Sequence, residues 1–389
     1  MSARLSQLMA SALASVMLML CGCVTLPRTA FTLTEQSAAS PPGFSHIRYA
    51  QDDPALVTML TTAVRPGAHG EVNVLALSGG GANGAYGAGL LYGWTKTGAR
   101  PEFQIVTGVS TGALTAPFAF LGSGTDENLR EAYTGEKAQH LLELRGAYGL
   151  FTPGLYSKVP LENLVRGYVT DGVIRAIAAQ HAKGRRLLVA TTNLDTEQLI
   201  VWDMGEIAAR GGAAARDLFV KVLVASASVP GVFSPTMIEV QGQGRTFSEM
   251  HVDGQTEGAF FAIPQNLLLM KKLPAEPFQV RLFVVVNGQL DSIFALTPHA
   301  TIPILARAMD AANKAAVRSV VTTTLEFCDR RGCMLKLAAL PPTERDDPLD
   351  FGAPHLRSLF EAGEKAVADG KAWRESPVQP VLPPAEAGR

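Results

Sequence analysis

The sequence has no excess of charge of either sign: its 389 residues include 34 Lys and Arg against 35 Asp and Glu. A near-neutral chain without a basic run lacks the electrostatic footprint of a nucleic-acid-binding protein, so we expect no nucleic-acid partner. Charged residues make up only 18% of the chain and apolar residues 47%. This balance excludes global disorder and predicts a sizeable buried core, in one large domain or two modest ones.

Cysteine is scarce: the chain has four, in two close pairs. The first pair, Cys21 and Cys23, ends an N-terminal segment with an apolar run over residues 8–20 and no acidic residue before Glu35. This layout is typical of a secretory signal and is too short for a comfortable membrane span. The letters LCGC at residues 20–23 resemble the bacterial lipoprotein signal, which implies cleavage before Cys23 and lipidation of its thiol.

An ordinary signal peptide with two incidental cysteines is the alternative interpretation of this segment. Under the lipoprotein interpretation, residues 1–22 are removed and the chain is held in the cell envelope by its N-terminal lipid. Val24 follows the cysteine, where an Asp would suggest retention in the inner membrane. We therefore expect the outer membrane, with the folded domain facing the periplasm or the exterior.

The second pair, Cys328 and Cys333, flanks the letters DRRG between a Thr-rich and a Leu-rich run. This pattern predicts a hairpin over residues 321–338, and an exported chain meets an oxidising compartment. We therefore predict a disulfide between the two cysteines. Two cysteines without companion His or Cys ligands do not make a zinc site, and we expect neither a metal nor another cofactor.

From residue 71 onward, strand-like and helix-like runs alternate, which predicts a mainly parallel sheet with helices on both faces. Functional sites in such sheets lie beyond the carboxyl ends of the strands. We divide the chain into the signal (1–22), a tether and lead-in (23–70), one large domain (71–373) and a Pro-rich tail (374–389). Strands are predicted at 72–77, 103–107, 186–192, 198–202 and 280–286, and helices at 84–97, 111–121, 126–142, 160–180, 213–227, 304–320 and 355–371.

A glycine-rich stretch, GGGANG at residues 79–84, follows the first of these strands. The backbone N–H groups of Gly79, Gly80 and Gly81 can point at one oxyanion because no side chain interferes. The same letters fit a dinucleotide-binding G-x-G-x-x-G. That site requires an acid after the next strand, whereas Glu102 precedes it, and a phosphate-binding P-loop requires a lysine that is absent here. We therefore expect no nucleotide.

The second signal is GVSTG at residues 108–112, placed directly between a predicted strand and a predicted helix. This is the context of a nucleophile elbow, in which the flanking glycines permit a sharp turn at Ser110. The helix N-terminus supplies positive potential to an alkoxide or oxyanion at the serine. A glycine-rich turn with a capping serine is the alternative.

A base for this serine is offered by HVDG at residues 251–254, which follows ASASVPGVFSP at residues 225–235. Asp253 stands before a glycine after short strands and can reach the serine. Asp195 and Asp203 also follow strands, but neither begins an Asp-Gly pair. A Ser–His–Asp triad is an alternative, with His251, His299 and His355 as candidate bases.

These four blocks, in this order, resemble the patatin-like phospholipase family. The resemblance implies a three-layer α/β/α patatin-like fold and hydrolysis of acyl esters by a serine–aspartate dyad without histidine. It carries the nucleophile onto Ser110, the base onto Asp253 and the oxyanion donors onto Gly79, Gly80 and Gly81. Two departures from the family pattern lie at the rim of the site. The family often has Arg or Lys at position 83, where this chain has Asn. After the Asp-Gly pair the family often has another glycine and then an Asn, where this chain has QTEG at residues 255–258.

We therefore expect a serine acyl hydrolase, a phospholipase A or lipid esterase, that acts on a phospholipid or another acyl-ester lipid. An acyltransferase would use the same residues and differ only in the acyl acceptor. A non-catalytic, lipid-anchored envelope binding protein is the alternative from another class.

Overall fold

The structure is a computed structural model that describes residues 28–146, 152–270 and 278–374. Cys23, the predicted signal and the predicted tail beyond residue 374 lie outside the described residues. The strands are β1 (Arg48–Ala50), β2 (Glu71–Leu77), β3 (Ile105–Val109), β4 (Arg186–Asn193), β5 (Gln198–Asp203), β6 (Thr236–Gly242), β7 (Arg245–Asp253), β8 (Gln279–Val286) and β9 (Met334–Ala339).

Five of these strands form the parallel centre of one sheet, in the order β4-β3-β2-β8-β9. Three antiparallel pairings extend it: β5 pairs with β4, β1 pairs with β5, and β7 of the β6–β7 hairpin pairs with the end of β4. The carboxyl ends of four strands, β2, β3, β4 and β7, therefore meet in one region. The glycine-rich stretch follows β2, Ser110 follows β3, and Asp253 is the last residue of β7.

Helices cover both faces of this sheet. They are α1 (Leu33–Ser37), α2 (Pro54–Ala63), α3 (Gly84–Lys96), α4 (Thr111–Leu121), α5 (Asp126–Thr134), α6 (Val159–Tyr168), α7 (Asp171–Ala182), α8 (Met204–Arg210), α9 (Gly212–Ser226), α10 (Gln265–Leu269), α11 (Thr301–Arg331) and α12 (Ala353–Ala368).

The alternation of side chains along β2 shows the three layers. Leu75 and Leu77 pack in the core that contains Leu90 of α3. Val74 points to the opposite face and packs in the core that contains Val317 of α11. Since successive strand residues point to opposite faces, both faces of the sheet are covered. The predicted three-layer α/β/α fold with a mainly parallel sheet is confirmed.

The hairpin predicted over residues 321–338 is wrong. Helix α11 continues to Arg331 and ends at Gly332 in the left-handed conformation, and β9 then runs parallel to β8. Val321, Thr324 and Cys328 are buried at helical spacing, which the Thr-rich letters concealed. Cys328 and Cys333 are bonded as a disulfide with their Cα atoms 4.6 Å apart, so the bridge spans the end of a helix and not the base of a hairpin.

Two predicted helices are interrupted in the structure. The helix expected at 160–180 is divided into α6 and α7, because the Thr170 side chain accepts the Val173 N–H and starts a new helix. The helix expected at 126–142 ends at Thr134, since Gly135 adopts an extended conformation before a short 3₁₀ turn. Although α11 has 31 residues, no helix within the described ranges has an apolar stretch long enough to cross a bilayer.

Candidate active site

Ser110 lies at the sharp turn between β3 and α4. Its backbone has φ 55° and ψ −125°, a conformation that a non-glycine residue adopts only under strain, and its side chain is 3% exposed. A Cβ atom on Gly108 would overlap the backbone of Gly112, and one on Gly112 would overlap the backbone of Leu77. Both flanking positions therefore require glycine, and the turn has the geometry of a nucleophile elbow.

The strained turn at Ser110 is held by a buried serine from another element. The Ser110 N–H donates to Ser226 Oγ at 3.0 Å, and the Ser226 hydroxyl donates to the carbonyl oxygen of Ala190 at 2.7 Å. Ser226 thus joins the elbow to the last turn of α9 and to β4. The sequence indicated the block at residues 225–235, but no local signal assigned this contact to Ser226.

Asp253 lies at the end of β7, and its carboxylate is buried next to Ser110. Its Oδ1 accepts the N–H of Gln255 at 2.8 Å, and its own N–H donates to the carbonyl oxygen of Ser228 at 2.9 Å. Burial raises the pKa of Asp253 to about 7, while the Ser110 hydroxyl and the Gln255 N–H oppose the rise. Oδ2 has no partner at full hydrogen-bond geometry among the described residues, as is common for a catalytic pair before substrate binds.

The glycine loop lies against the nucleophile. A Cβ atom on Gly79 would be 3.0 Å from Ser110 Cβ and would overlap the Gln255 side chain. Gly80 and Gly81 have φ 153° and 55°, and a side chain on either would overlap a backbone carbonyl, of Asn287 and of Pro348 respectively. Only glycine can form this loop at such close approach.

The three predicted oxyanion donors are not equivalent. The Gly79 N–H is directed at the carbonyl oxygen of Ala259, with a long distance of 3.4 Å. Within the described part of the chain, the N–H groups of Gly80 and Gly81 donate to no acceptor. These two are therefore free to bind an oxygen that carries negative charge.

Asn83, at the position where the family often has Arg or Lys, is buried and is connected through Asp346 to the ammonium group of Lys314. Asn83 Nδ2 donates to Asp346 Oδ1 at 2.6 Å, and Lys314 Nζ lies 3.1 Å from Asp346 Oδ2. The Ala82 N–H donates to the carbonyl oxygen of Pro348 at 2.9 Å. The segment between β9 and α12 therefore holds the far side of the glycine loop in place.

The candidate histidines take no part in this arrangement. His251 is fully buried, with Nδ1 2.9 Å from Thr191 Oγ1 and Nε2 3.1 Å from Glu249 Oε2. His299 is exposed in the segment before α11. No histidine in the described ranges is hydrogen-bonded to Ser110 or Asp253, so the geometry favours a dyad over a triad.

The two other candidate acids are also engaged elsewhere. Asp195 accepts two hydrogen bonds from Arg28, at 2.8 and 2.6 Å. Asp203 accepts the N–H of Glu206 at 2.9 Å and starts α8. Of the three candidate acids, the structure brings Asp253 to the serine.

An apolar cavity of about 100 Å³ leads away from Ser110. Tyr133 forms part of its wall, but its hydroxyl group is held by Thr111 Oγ1 at 2.7 Å and Thr115 Oγ1 at 2.9 Å, which leaves the ring as the exposed surface. The remaining wall is almost entirely hydrocarbon. Among the lining residues are Leu114, Phe118, Leu161, Val165, Leu223, Val229 and Leu349.

Comparisons with solved structures find matches of low similarity. VipD from Legionella pneumophila matches at 13% identity and a TM-score of 0.34, over 76% of this chain and 67% of that one. Human GIVD cytosolic phospholipase A2 matches at 13% identity and a TM-score of 0.36, over 77% of this chain and 53% of that one. ExoU from Pseudomonas aeruginosa, in complex with SpcU, matches at 13% identity and a TM-score of 0.28, over 78% of this chain and 53% of that one.

A search of curated proteins found no significant match. The family model described as patatin-like phospholipase matches residues 75–259, a segment that begins inside β2 and ends just after Asp253. All the residues of the glycine loop and the elbow lie inside it. Residues 75–259, which contain this site, are therefore identified as a patatin-like phospholipase domain.

Proposed function

We propose that the protein is a serine acyl hydrolase that cleaves acyl esters of phospholipids or related lipids. The observation that carries the proposal is the pairing of Ser110, in a strained elbow, with a buried carboxyl whose pKa is raised to about 7. A serine hydroxyl is a weak nucleophile without an adjacent base, and an ordinary aspartate is too weak a base. Burial raises the pKa of Asp253, and its carboxylate is therefore a stronger base than that of an ordinary aspartate.

The reaction that fits this geometry has two steps. Asp253 accepts the hydroxyl proton of Ser110 while Ser110 Oγ attacks the ester carbonyl carbon, and the resulting acid then protonates the leaving alkoxide. The acyl group is left on Ser110 as an ester. Asp253 next takes a proton from a water molecule, which attacks the acyl carbonyl, and returns the proton to Ser110 Oγ as the fatty acid leaves.

We assign the binding of the negatively charged oxygen of each tetrahedral intermediate to the N–H groups of Gly80 and Gly81. Both donors are unoccupied among the described residues, and the loop adjoins Ser110. A well-placed donor of this kind lowers the barrier by about 3–4 kcal/mol. The N-terminus of α4 adds positive potential at the same point.

The apolar cavity supports an acyl ester with a hydrocarbon chain as the substrate. A chain that enters beside Ser110 meets leucine, valine and phenylalanine side chains, so its burial is favourable by about 0.8 kcal/mol per methylene. We therefore assign the cavity to the acyl group and the exposed side of the elbow to the alcohol or headgroup.

The decisive experiment compares the wild type with Ser110→Ala and Asp253→Asn on phospholipid vesicles and on a water-soluble short-chain ester. Both variants are expected to lose at least about 10³-fold in kcat while remaining folded. A fluorophosphonate probe should label the wild type and not Ser110→Ala. Retained hydrolysis by Ser110→Ala would exclude the proposal.

The products of the same assay separate the related activities. Release of free fatty acid identifies a hydrolase, whereas transfer of the acyl group to an added lipid alcohol identifies an acyltransferase. A protein that binds lipid but reacts with neither the esters nor the probe would be the non-catalytic binding protein.

We also propose that the chain is anchored in the bacterial outer membrane through a lipid on Cys23. The support is the LCGC sequence at residues 20–23 at the end of an apolar run. Metabolic labelling with a palmitate analogue should mark the wild type and not Cys23→Ser. Recovery of unlabelled wild-type protein in the soluble periplasmic fraction would contradict the anchor.

A further inference from the structure

The described residues expose several large apolar side chains between the end of β8 and the middle of α11. Phe294 is 91% exposed and Leu296 is 87% exposed, in the loop that precedes the helix. Ile304, Leu305 and Met309, on the first turns of α11, are each about half exposed. We call these five residues the apolar rim. So large an exposed apolar group on a folded domain marks an interaction surface.

The loop that carries Phe294 and Leu296 starts at a residue that contacts the glycine loop. The loop of Phe294 continues from Asn287, whose backbone carbonyl lies where a side chain on Gly80 would be. Two arginines of α11 then tie the loop to the helix: Arg307 donates to the Ile293 carbonyl oxygen, and Arg318 donates to the Leu290 carbonyl oxygen at 2.8 Å. The loop and the helix therefore remain next to each other at the carboxyl edge of the sheet.

The apolar rim is also connected to the mouth of the cavity. Lys314 follows Met309 by five residues, about 8 Å along the helix axis. Its ammonium group lies 3.1 Å from Asp346, and Asp346 binds Asn83 of the glycine loop. Leu349, three residues beyond Asp346, lines the cavity and is itself about half exposed. Polar contacts therefore link the helix that carries the apolar rim to the segment that lines the cavity.

Two features point to a lipid surface as the occupant. Ser110 is 3% exposed, so an acyl chain must leave its bilayer and enter a buried cavity, and apolar side chains at the mouth lower the cost of that transfer. Phe294 and Leu296 are almost fully exposed, so the transfer of each side chain from water into the acyl region of a bilayer is favourable by about 1.5–3 kcal/mol.

We infer that the apolar rim docks the domain on the surface of the bilayer that contains its substrate, with Phe294 and Leu296 inserted among the acyl chains. This inference rests on the proposed function and adds the partner surface of the same site. The contacts of Asp346 with Lys314 and with Asn83 connect the docked helix to the glycine loop.

The test uses the chain from Val24 onward, which lacks both Cys23 and the apolar run at residues 8–20, so that neither contributes to binding. Flotation with phosphatidylglycerol–phosphatidylethanolamine vesicles is measured for this protein and for the same protein with Phe294→Ser and Leu296→Ser. Both side chains are exposed, so the double variant should keep its thermal midpoint. We expect its vesicle binding and its vesicle hydrolysis to fall at least about tenfold, with hydrolysis of a water-soluble short-chain ester unchanged.

Leu33→Ser is the matched control, because Leu33 is also well exposed but lies on α1. The inference is overturned if the double variant binds vesicles as the parent does, or if Leu33→Ser loses binding equally. Analytical ultracentrifugation tests whether a second copy of the chain binds the apolar rim instead. If the parent is a dimer and the double variant is a monomer, the apolar rim is a dimer interface and the inference is overturned.

Binding is measured independently of catalysis, so the two proposals can fail separately. If the parent binds vesicles through the apolar rim but hydrolyses neither substrate, the docking surface stands and the proposed hydrolase is excluded. If both substrates are hydrolysed equally by the parent and the double variant, the hydrolase stands and the docking surface is excluded.

Discussion

The hydroxyl group of Ser226 accepts the backbone N–H of Ser110 at 3.0 Å and donates to Ala190 in the neighbouring strand. Two residues later, the carbonyl oxygen of Ser228 accepts the N–H of Asp253 at 2.9 Å. One short segment at the end of α9 therefore holds both members of the proposed dyad.

Replacement of Ser226 by alanine should slow the reaction without preventing substrate binding. The Ser110 N–H would lose its buried acceptor, a change worth about 1–3 kcal/mol, and the strained elbow could relax. We expect kcat to fall at least about tenfold, with KM within about twofold of the wild type. The measurement is steady-state hydrolysis of a soluble ester, together with the free energy of unfolding.

Ser228→Ala is the matched control for this variant. Ser228 is equally buried and its hydroxyl donates to the Val224 carbonyl oxygen at 2.7 Å, but its contact with Asp253 is made by its backbone and survives the change. It should lose similar stability and keep most of kcat. Equal rates for the two variants would show that Ser226 has only a structural role.

The rate should depend on the ionisation of Asp253. The folded protein has this pKa raised to about 7 by burial, and the carboxylate is the form that can accept the Ser110 proton. Below about pH 7, kcat/KM should therefore fall about tenfold per pH unit, and above it the rate should reach a plateau. Rates on an uncharged soluble ester from about pH 5 to about pH 9 provide the check. A midpoint near the ordinary aspartate value would contradict the assignment.

Alanine at position 81 should damage catalysis far more than it damages the fold. Gly81 has φ 55°, and an added Cβ would overlap the Pro348 carbonyl, so the loop must shift. We expect kcat to fall at least about 10²-fold, because the oxyanion loses a donor. The assay is hydrolysis of the soluble ester.

Gly98→Ala provides the comparison for this change. Gly98 has a similar φ of 71°, but no atom lies within 4 Å of the Cβ position. Both variants should lose about 1 kcal/mol of stability from the left-handed backbone, Gly81→Ala should lose more because of its overlap with Pro348, and only Gly81→Ala should lose activity. A normal rate for Gly81→Ala would remove this loop from the mechanism.

Tryptophan at position 165 should shorten the acyl chains that the protein accepts. Val165 of α6 is buried and lines the apolar cavity. A larger ring there would fill the space that a long chain requires. We expect the ratio of palmitoyl-ester to butyryl-ester hydrolysis to fall at least about tenfold, measured with soluble esters of graded length. Val159→Trp, at an exposed position of the same helix, should leave the ratio unchanged.

The elbow and the glycine loop could be predicted because their chemistry is local. A strand, a turn that only glycine permits and a helix occupy consecutive residues, so the letters at 79–84 and 108–112 were sufficient. The end of α11 could not be predicted in this way. Thr-rich letters favour a strand, and only the burial of Val321 and Cys328 against β8 and β9 makes the same residues helical.

The sequence by itself therefore determines which residues form the site: a serine between two glycines, a glycine loop before it and an Asp-Gly pair after it. Packing decides how these groups act. Antiparallel pairing of β7 with β4 brings Asp253 to Ser110, and burial of its carboxylate raises its pKa to about 7. The contact of Ser226 with Ser110 spans 116 residues, and such long-range contacts exist only once the strands and helices have packed.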